Sequence, residues 1–354
     1  MKKKILISTG GSGGHVIPAT IFYDHLSKEY EVIVCTDKRG YKFLNMNDYD
    51  LEIINTPKLN NFFLLPINLF IIFYLTIKSY LFLKRKKINK LISTGGYMSL
   101  PIILAAKIIR LDIYLFEPNF VIGRANKFFL RSCKRIFCYS EKLINFPDKF
   151  KDKIKMINPL VRKVFYDLNV SSKKKDIFKI LVVGGSQGAR IFDKELKNII
   201  LDISKKYKLK VVHQTSEKNT ENLRSFYSSN KIDNLIFSFN NDFAKIIQET
   251  DLCITRAGAS TLAELSLLNI PFLAIPLPTS KDNHQFENAR FYRNKDCCWI
   301  LEQNLFNDKI EEVIKHILEN TVDYSQKKDN LKKLNYQNTW INVNQKILRT
   351  INEN

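Results

Sequence analysis

Glycine is scarce in this chain, with twelve residues in 354. Nine of the twelve fall in three short runs, Gly10-Gly11-Ser12-Gly13-Gly14, Gly95-Gly96 and Gly184-Gly185-Ser186-Gln187-Gly188, so glycine is placed rather than scattered. No Gly-Lys-Ser/Thr follows any of these runs, which excludes a P-loop. Cysteine is sparse as well. The six residues (Cys35, Cys133, Cys138, Cys253, Cys297, Cys298) contain no CxxC pair, and no metal-ligand set emerges. Cys35 and Cys253 lie in apolar runs, as small buried hydrophobes of a reducing compartment do. Acidic residues are few, 35 against 56 basic ones, and the formal charge of +21 calls for an acidic partner: nucleotide, nucleic acid or anionic membrane. Part of that balance is a general preference for lysine. No RRM, KH or zinc pattern is present, so charge alone would have to carry a nucleic-acid function. The N-terminus enters a strand at once, with no secretory h-region.

The chain does have a repeated strand and turn. Leu6-Ile7-Ser8-Thr9-Gly10-Gly11 recurs as Leu91-Ile92-Ser93-Thr94-Gly95-Gly96, and Leu181-Val182-Val183-Gly184-Gly185 opens the second half in the same style. A β-branched run ending in glycines before a helical pattern reads as a buried parallel strand. Its turn brings backbone N–H groups to an anion at a helix N-terminus. Three such turns suggest a protein that holds more than one diphosphate. Strands and helices alternate through both halves, which predicts an α/β fold of two Rossmann-like doubly wound domains facing a cleft. The expected domains are residues 1–160 and 166–335. A final helix, within 336–354, is expected to pack back on the first domain.

Residues 62–83 hold 17 apolar residues of 22. A helix of that length is about 33 Å long and passes for a membrane span. The two LISTGG strands flank it, however, and belong in one sheet by their shared chemistry, so the segment must return to that sheet. Pro66 limits a continuous helix to about 67–83. A buried crossover helix and an apolar helix resting on the bilayer, anchored by Lys84, Arg85, Lys86 and Lys87, both fit, and the second is preferred.

His15 sits where the first glycine loop meets a helix start, where the dipole favours a neutral, base-competent imidazole. Residues 184–189 offer backbone donors at a second helix start. Arg256-Ala257-Gly258-Ala259-Ser260-Thr261-Leu262-Ala263-Glu264 follows another buried strand. Glu264, read on the first helical turn, either caps that helix or accepts two ribose hydroxyls. Asp282-Asn283-His284-Gln285 suits sugar hydroxyls. Asp48-Tyr49-Asp50 matches the DxD string of metal-dependent transferases but precedes a strand, so it reads as a solvated turn.

The runs GGSGGH, STGGYMS, GGSQGAR, RAGASTLAE and NHQFENA, in this order and spacing, make the chain similar to the MurG family over nearly its whole length. These are GT-B-class glycosyltransferases of peptidoglycan synthesis, which add N-acetylglucosamine to undecaprenyl-diphospho-muramoyl-pentapeptide. The resemblance implies inverting, metal-independent transfer to the acceptor C4 hydroxyl, with no cofactor. It implies a UDP-N-acetylglucosamine site mainly on the second domain, lined by Arg162, Ser186, Asn240, Ala259, Ser260, Thr261, Leu262, Ala263, Glu264 and Gln285. Ser12, Gly13, Gly14 and Asn119 would approach from the first domain. The Gly13–Gly14 loop and Gly95, Gly96 and Tyr97 become candidates for the acceptor diphosphate. Where the family reads His-Glu-Gln-Asn, this chain has Phe116-Glu117-Pro118-Asn119, so a histidine and a glutamine are replaced. His15 is the first candidate for the general base and Glu117 the second. The implied setting is peripheral, on the cytoplasmic face of the inner membrane, with an anionic surface and cell-wall synthesis proteins as partners and no nucleic acid. An epimerase acting on the same UDP-sugar is the rival reading. It would need neither a lipid-linked acceptor nor a membrane-facing helix.

Overall fold

The computed structural model describes residues 2–44, 48–57, 63–168, 177–185, 189–238 and 243–353. The chain divides into two compact units, Met1–Leu160 with Trp340–Asn354, and Val161–Thr339. In the first unit the order is β1 (Lys4–Ser8), α1 (Gly13–Leu26), β2 (Glu31–Thr36), α2 (Lys38–Tyr41), β3 (Asp50–Ile53) and α3 (Leu65–Lys86). It continues with β4 (Lys90–Ser93), α4 (Leu100–Ile108), β5 (Asp112–Glu117), α5 (Arg124–Phe129), β6 (Arg135–Cys138) and β7 (Ile154–Met156). The second unit opens with α6 (Lys163–Tyr166), β8 (Phe178–Val183), α7 (Lys197–Ser204), β9 (Leu209–Gln214), α8 (Thr220–Ser229), β10 (Asp233–Phe237) and α9 (Phe243–Gln248). It ends with β11 (Leu252–Thr255), α10 (Ala259–Leu267), β12 (Phe272–Ala274), α11 (His284–Arg293), β13 (Cys298–Ile300), α12 (Phe306–Glu319) and α13 (Thr321–Leu334). The last helix, α14 (Trp340–Asn352), belongs to the first unit.

Each unit is one parallel sheet covered on both faces. The orders are β3-β2-β1-β4-β5-β6-β7 and β10-β9-β8-β11-β12-β13. Both sheets wind outward in two directions from a central pair, β1 with β4 and β8 with β11. Ligands of such sheets sit at the carboxyl ends of the strands beside that reversal. All three glycine runs follow strands of the central pairs: β1, β4 and β8. Alternation along the strands fills two cores per sheet. In the first unit Ile5, Ile7, Tyr114, Phe116 and Phe137 meet Phe22 of α1 and Val343, Ile347 and Ile351 of α14. Leu6, Ile33, Leu91 and Leu115 meet Phe82, Leu83 and Ile102 on the other face.

The sequence pattern left α2, α6, α8, β13 and α13 unread. α2 and α6 are four residues each and β13 is three. α8 has only the short stripe Leu223, Phe226 and Tyr227 to announce it, and α13 buries only Lys327 and Leu331. α1 starts at Gly13, because the glycine loop itself forms the first turn, and Pro18 lies inside the helix.

α3 is inside-out. The residues it buries are Asn68, Ile72, Thr76, Ser79, Phe82 and Leu83. Its solvent face carries Ile67, Leu69, Phe70, Phe73, Tyr74, Ile77 and Leu81, with Phe70 72% exposed. Pro66 sits in its first turn, where proline's missing N–H costs nothing. β3 and β4, at its two ends, are strands of one sheet. A membrane-spanning α3 would part strands that are joined through β2 and β1, so α3 is a crossover helix with an exposed apolar face.

α14 is held to α1 at His25. The imidazole stacks on Trp340 with centroids 3.7 Å apart, and Asn344 donates to the His25 carbonyl at 2.9 Å and to Nδ1 at 3.3 Å. Nε2 is buried without a hydrogen-bond partner among the described residues. Burial pushes the His25 pKa down to about 3. The folded value lies below the unfolded one, so the stabilisation is complete above about pH 6.5 and is lost as pH falls toward 3. The slope is up to about 1.4 kcal/mol per unit. The urea midpoint should therefore fall between pH 7.5 and 5, by the equivalent of about 2 kcal/mol, and His25→Phe should visibly flatten that profile.

Candidate functional site

In the first unit the loops after β2, β1, β4 and β5 stand side by side at the carboxyl edge of the sheet. His15 is the third residue of α1. Its Nδ1 lies 2.8 Å from the Thr94 carbonyl oxygen, which only accepts. Nδ1 therefore carries the hydrogen, and Nε2 has no partner among the described residues. The ring lies against the second glycine run. A Cβ on Gly95 would come 3.2 Å from the imidazole, and one on Gly96 would come 3.9 Å from Nε2. Gly95 and Gly96 have φ of +94° and +86°, which side-chain-bearing residues rarely adopt. The N-cap of α1, Ser12, makes no side-chain cap bond, so the amides of Gly13 and Gly14 lack a side-chain acceptor at the positive end of the helix.

Asp37, at the end of β2, gathers the same loops. Oδ1 accepts from the Gly11 and Gly40 amides at 2.9 and 2.8 Å, and Oδ2 accepts from Arg39 Nε and Nη2 at 3.1 and 2.7 Å. Burial alone would raise its pKa. The two amides and Arg39 outweigh that and hold the carboxyl below its ordinary range. Arg39 Nη2 also donates to the Tyr97 hydroxyl.

Glu117 ends β5 and is 2% exposed. Oε1 accepts from the Asn119 amide and Nδ2 at 3.2 and 2.9 Å. Oε2 accepts from the Gly123 amide at 2.7 Å and Asn126 Nδ2 at 2.9 Å. Four donors occupy this carboxylate, which shapes the loop carrying Asn119. Asn126 extends the network to within 3.8 Å of the Gly95 Cβ position, so Glu117 reaches the His15 wall only through it. Phe116, at the position of the family histidine, is fully buried against Phe22 and Tyr139.

In the second unit, α10 opens directly after β11 with Gly258 as an N-cap that offers no side chain, leaving its first amides open. Ser260 and Thr261 are partly exposed, whereas Leu262 and Ala263 are buried in the core. Glu264 is the sixth residue of α10, one turn beyond the position read from sequence, and is too far along to cap the helix. Its Oε1 instead accepts from Arg162 Nε and Nη2 at 3.0 and 2.9 Å, with Oε2 unpartnered among the described residues. Burial raises its pKa, and Arg162 opposes the shift. Gln285 Oε1 accepts the Leu277 amide at 2.9 Å, which fixes the loop after β12 and leaves its Nε2 to donate. Arg256, buried, bonds the Ile275 and Pro276 carbonyls and Gln303, and so ties the ends of β11 and β12 together. Ser186 and Asn240 lie outside the described residues.

Among the described residues no three His, Cys, Asp or Glu converge as metal ligands. Asp50 begins β3, at the sheet edge opposite the glycine loops, 4.0 Å from Lys86. Sequence reading missed Asp37, Arg39 and Asn126. The available signal was Thr36-Asp37, an N-cap residue closing a buried strand one position before a basic pair.

Two domain descriptions match the chain: the glycosyltransferase family 28 N-terminal domain over residues 5–138 and its C-terminal domain over 179–339. The chain is 51% identical, over 100% of both sequences, to the UDP-N-acetylglucosamine–N-acetylmuramyl-(pentapeptide) pyrophosphoryl-undecaprenol N-acetylglucosamine transferase of Pelagibacter ubique. Its fold is similar to the crystal structure of Acinetobacter baumannii MurG, with a TM-score of 0.76 and 22% identity over 99% of this chain and 100% of that one. It is also similar to a UDP-GlcNAc 2-epimerase from Neisseria meningitidis, with a TM-score of 0.69 and 14% identity over 99% and 100% of the two chains.

The Arg162–Glu264 pair sets a pH test for the second unit. Without the guanidinium, the Glu264 pKa should climb further above its ordinary value. A raised acid contributes stability at low pH and loses it as pH rises through the folded pKa. Arg162→Met should therefore unfold nearly like the wild type at pH 4 and fall behind it by about 2 kcal/mol at pH 7.5, measured as the gap between urea midpoints.

Proposed function

The chain belongs to glycosyltransferase family 28, and from that premise we propose how its own residues carry out the family's reaction. It is an N-acetylglucosaminyltransferase that moves the sugar from UDP-N-acetylglucosamine onto a lipid-linked N-acetylmuramyl-pentapeptide. The observation that carries this reading is 51% identity along the full length of a transferase named for that reaction. The likeness to an epimerase is one of fold. Labelled N-acetylglucosamine incubated with and without the undecaprenyl-linked acceptor separates the two. Label in the lipid fraction only when acceptor is present supports the transferase, and UDP-sugar isomerised without acceptor overturns it.

The transfer is inverting. His15 Nε2 removes the proton of the acceptor C4 hydroxyl. The freed oxygen attacks the anomeric carbon of N-acetylglucosamine from the face opposite the diphosphate. The carbon–oxygen bond to UDP breaks, and its electron pair leaves on the diphosphate. His15 is supported as base by its geometry: Thr94 takes the Nδ1 hydrogen, which orients the ring and leaves Nε2 open. Glu117, occupied by four donors, positions Asn119 and the Asn126 side of the glycine wall. The departing charge is stabilised by open amides at the start of α10, and no metal takes part. Glu264 Oε2 accepts ribose hydroxyls while Arg162 holds Oε1, and Gln285 Nε2 donates to the sugar. Gly13, Gly14, Gly95 and Gly96 receive the acceptor diphosphate.

His15→Gln should lower kcat by about 100-fold or more with the UDP-sugar KM within a factor of two. Steady-state kinetics on both substrates decides it, and the same loss in Glu117→Gln with His15→Gln unaffected would move the base to Glu117.

The acceptor's lipid tail requires a bilayer beside the first unit, and the apolar face of α3 fits that role on the cytoplasmic side. Phe70, Phe73, Tyr74 and Leu81 enter the headgroup boundary, while Lys84, Arg85, Lys86 and Lys87 close the helix with positive charge. Each basic residue contributes about 1 kcal/mol of attraction to an anionic surface. Co-sedimentation should show binding to phosphatidylglycerol vesicles that weakens with salt and after reversal of these four charges. Equal binding to neutral vesicles at high salt would sink the electrostatic part.

A further inference from the structure

We propose that Arg39 is the cation that receives the diphosphate of the lipid-linked acceptor, an assignment that rests on the acceptor reading of the first unit's glycine loops. Arg39 belongs to the loop after β2, yet its guanidinium crosses the β1 loop and reaches Tyr97 on the β4 loop. On the way it passes over Gly11, whose Cβ position is 3.7 Å from Nη2. Tyr97 also presents its ring to the guanidinium, with the centroid 5.2 Å from Cζ. Asp37 fixes the other edge. That carboxylate is only 5% exposed, and its second oxygen is committed to two backbone amides, so it cannot follow the arginine elsewhere.

The result is an ordered arginine with part of its fork unused. Nε and Nη2 are engaged, whereas Nη1 has no partner among the described residues, and the side chain is 43% exposed. A half-exposed ion pair contributes little to stability, so stability alone does not account for three separate restraints on this side chain. Pre-ordering does have a use in binding, because the rotamer entropy of a long cation is lost before the ligand arrives. A planar guanidinium matches two phosphate oxygens at once, which an ammonium cannot do. The uncapped amides of Gly13 and Gly14 follow from the same β1 loop that Arg39 spans. On the far side of the glycine pair stands His15. A diphosphate held by Arg39 and these amides would present the attached sugar toward the imidazole.

Arg39→Ala and Arg39→Lys test this in the full-length enzyme. Arg39→Ala should raise the KM for the lipid-linked acceptor about tenfold, about 1.4 kcal/mol. The UDP-sugar KM and kcat at saturating acceptor should stay within a factor of two. Arg39→Lys should recover part of the loss, and Tyr97→Phe should cost a few-fold in acceptor KM alone. A direct readout independent of turnover is calorimetric binding of geranyl diphosphate with UDP at saturation. Affinity should drop about tenfold in Arg39→Ala, while geranyl monophosphate is affected less. Unchanged acceptor KM and unchanged geranyl diphosphate binding would overturn the assignment, as would a shift in both substrates' KM values with a matching loss of thermal stability, which would make Arg39 a strut. Failure of the wild type to glycosylate the acceptor would instead refute the proposed function, and the calorimetry would still decide whether Arg39 holds a diphosphate.

Discussion

The parallel pairing of β1 with β4 is the constraint on which the first unit depends. Its ladder runs Ile5 with Lys90 through Ser8 with Ser93, so the two LISTGG runs reach the carboxyl edge in register. Their glycines then stand side by side, and His15 can reach across to the Thr94 carbonyl at 2.8 Å. The same pairing forces α3 to start and finish on one sheet. A helix long and apolar enough to cross a bilayer is thereby obliged to lie against the protein. In the second unit the pairing of β8 with β11 sets Gly184-Gly185 and Arg256-Ala257-Gly258 just beyond the ends of adjacent strands in the same way.

Charge is handled differently on the two sheets. At the first, Asp37 is the hub: a buried carboxylate whose ionised form is favoured by two amides and a guanidinium, and which stitches the β2 and β1 loops together. At the second, the buried carboxylate Glu264 is costly to ionise and depends on Arg162. One acid organises loops, and the other keeps one oxygen without a partner among the described residues. Glu117 belongs with Asp37, since its four hydrogen bonds to Asn119, Gly123 and Asn126 are spent on loop shape. Phe116, where the family has a histidine, fits the same division, because that position is buried in the core beside Phe22.

α3 shows how function can invert a folding rule. Asn68, Thr76 and Ser79 face inward while phenylalanines and leucines face out, an arrangement that costs apolar burial. The bilayer contact proposed for α3 would supply an apolar surface that offsets this cost.

Much of this was legible in the sequence, because the signals were local. Three glycine-ended β-branched runs, the alternation of strands with helices and the order of five short motifs determined two doubly wound domains and a phosphate-handling, sugar-transferring chemistry. They also drew attention to His15 and Glu264, read in the first turns of helices, and to Gln285 beside a strand end. What the sequence could not determine was which atoms of these residues were already engaged. His15 and Glu117 both stood as candidate bases, His15 first. Only the fold brought Gly123 and Asn126 onto one carboxylate and set the Thr94 carbonyl against one imidazole nitrogen, and these partners are 6, 9 and 79 residues away in the chain. Asp37 and Arg39 drew no notice for the same reason. Their meaning comes from Gly11 and Tyr97, contributed by neighbouring strands, and strand adjacency is a property of the folded sheet.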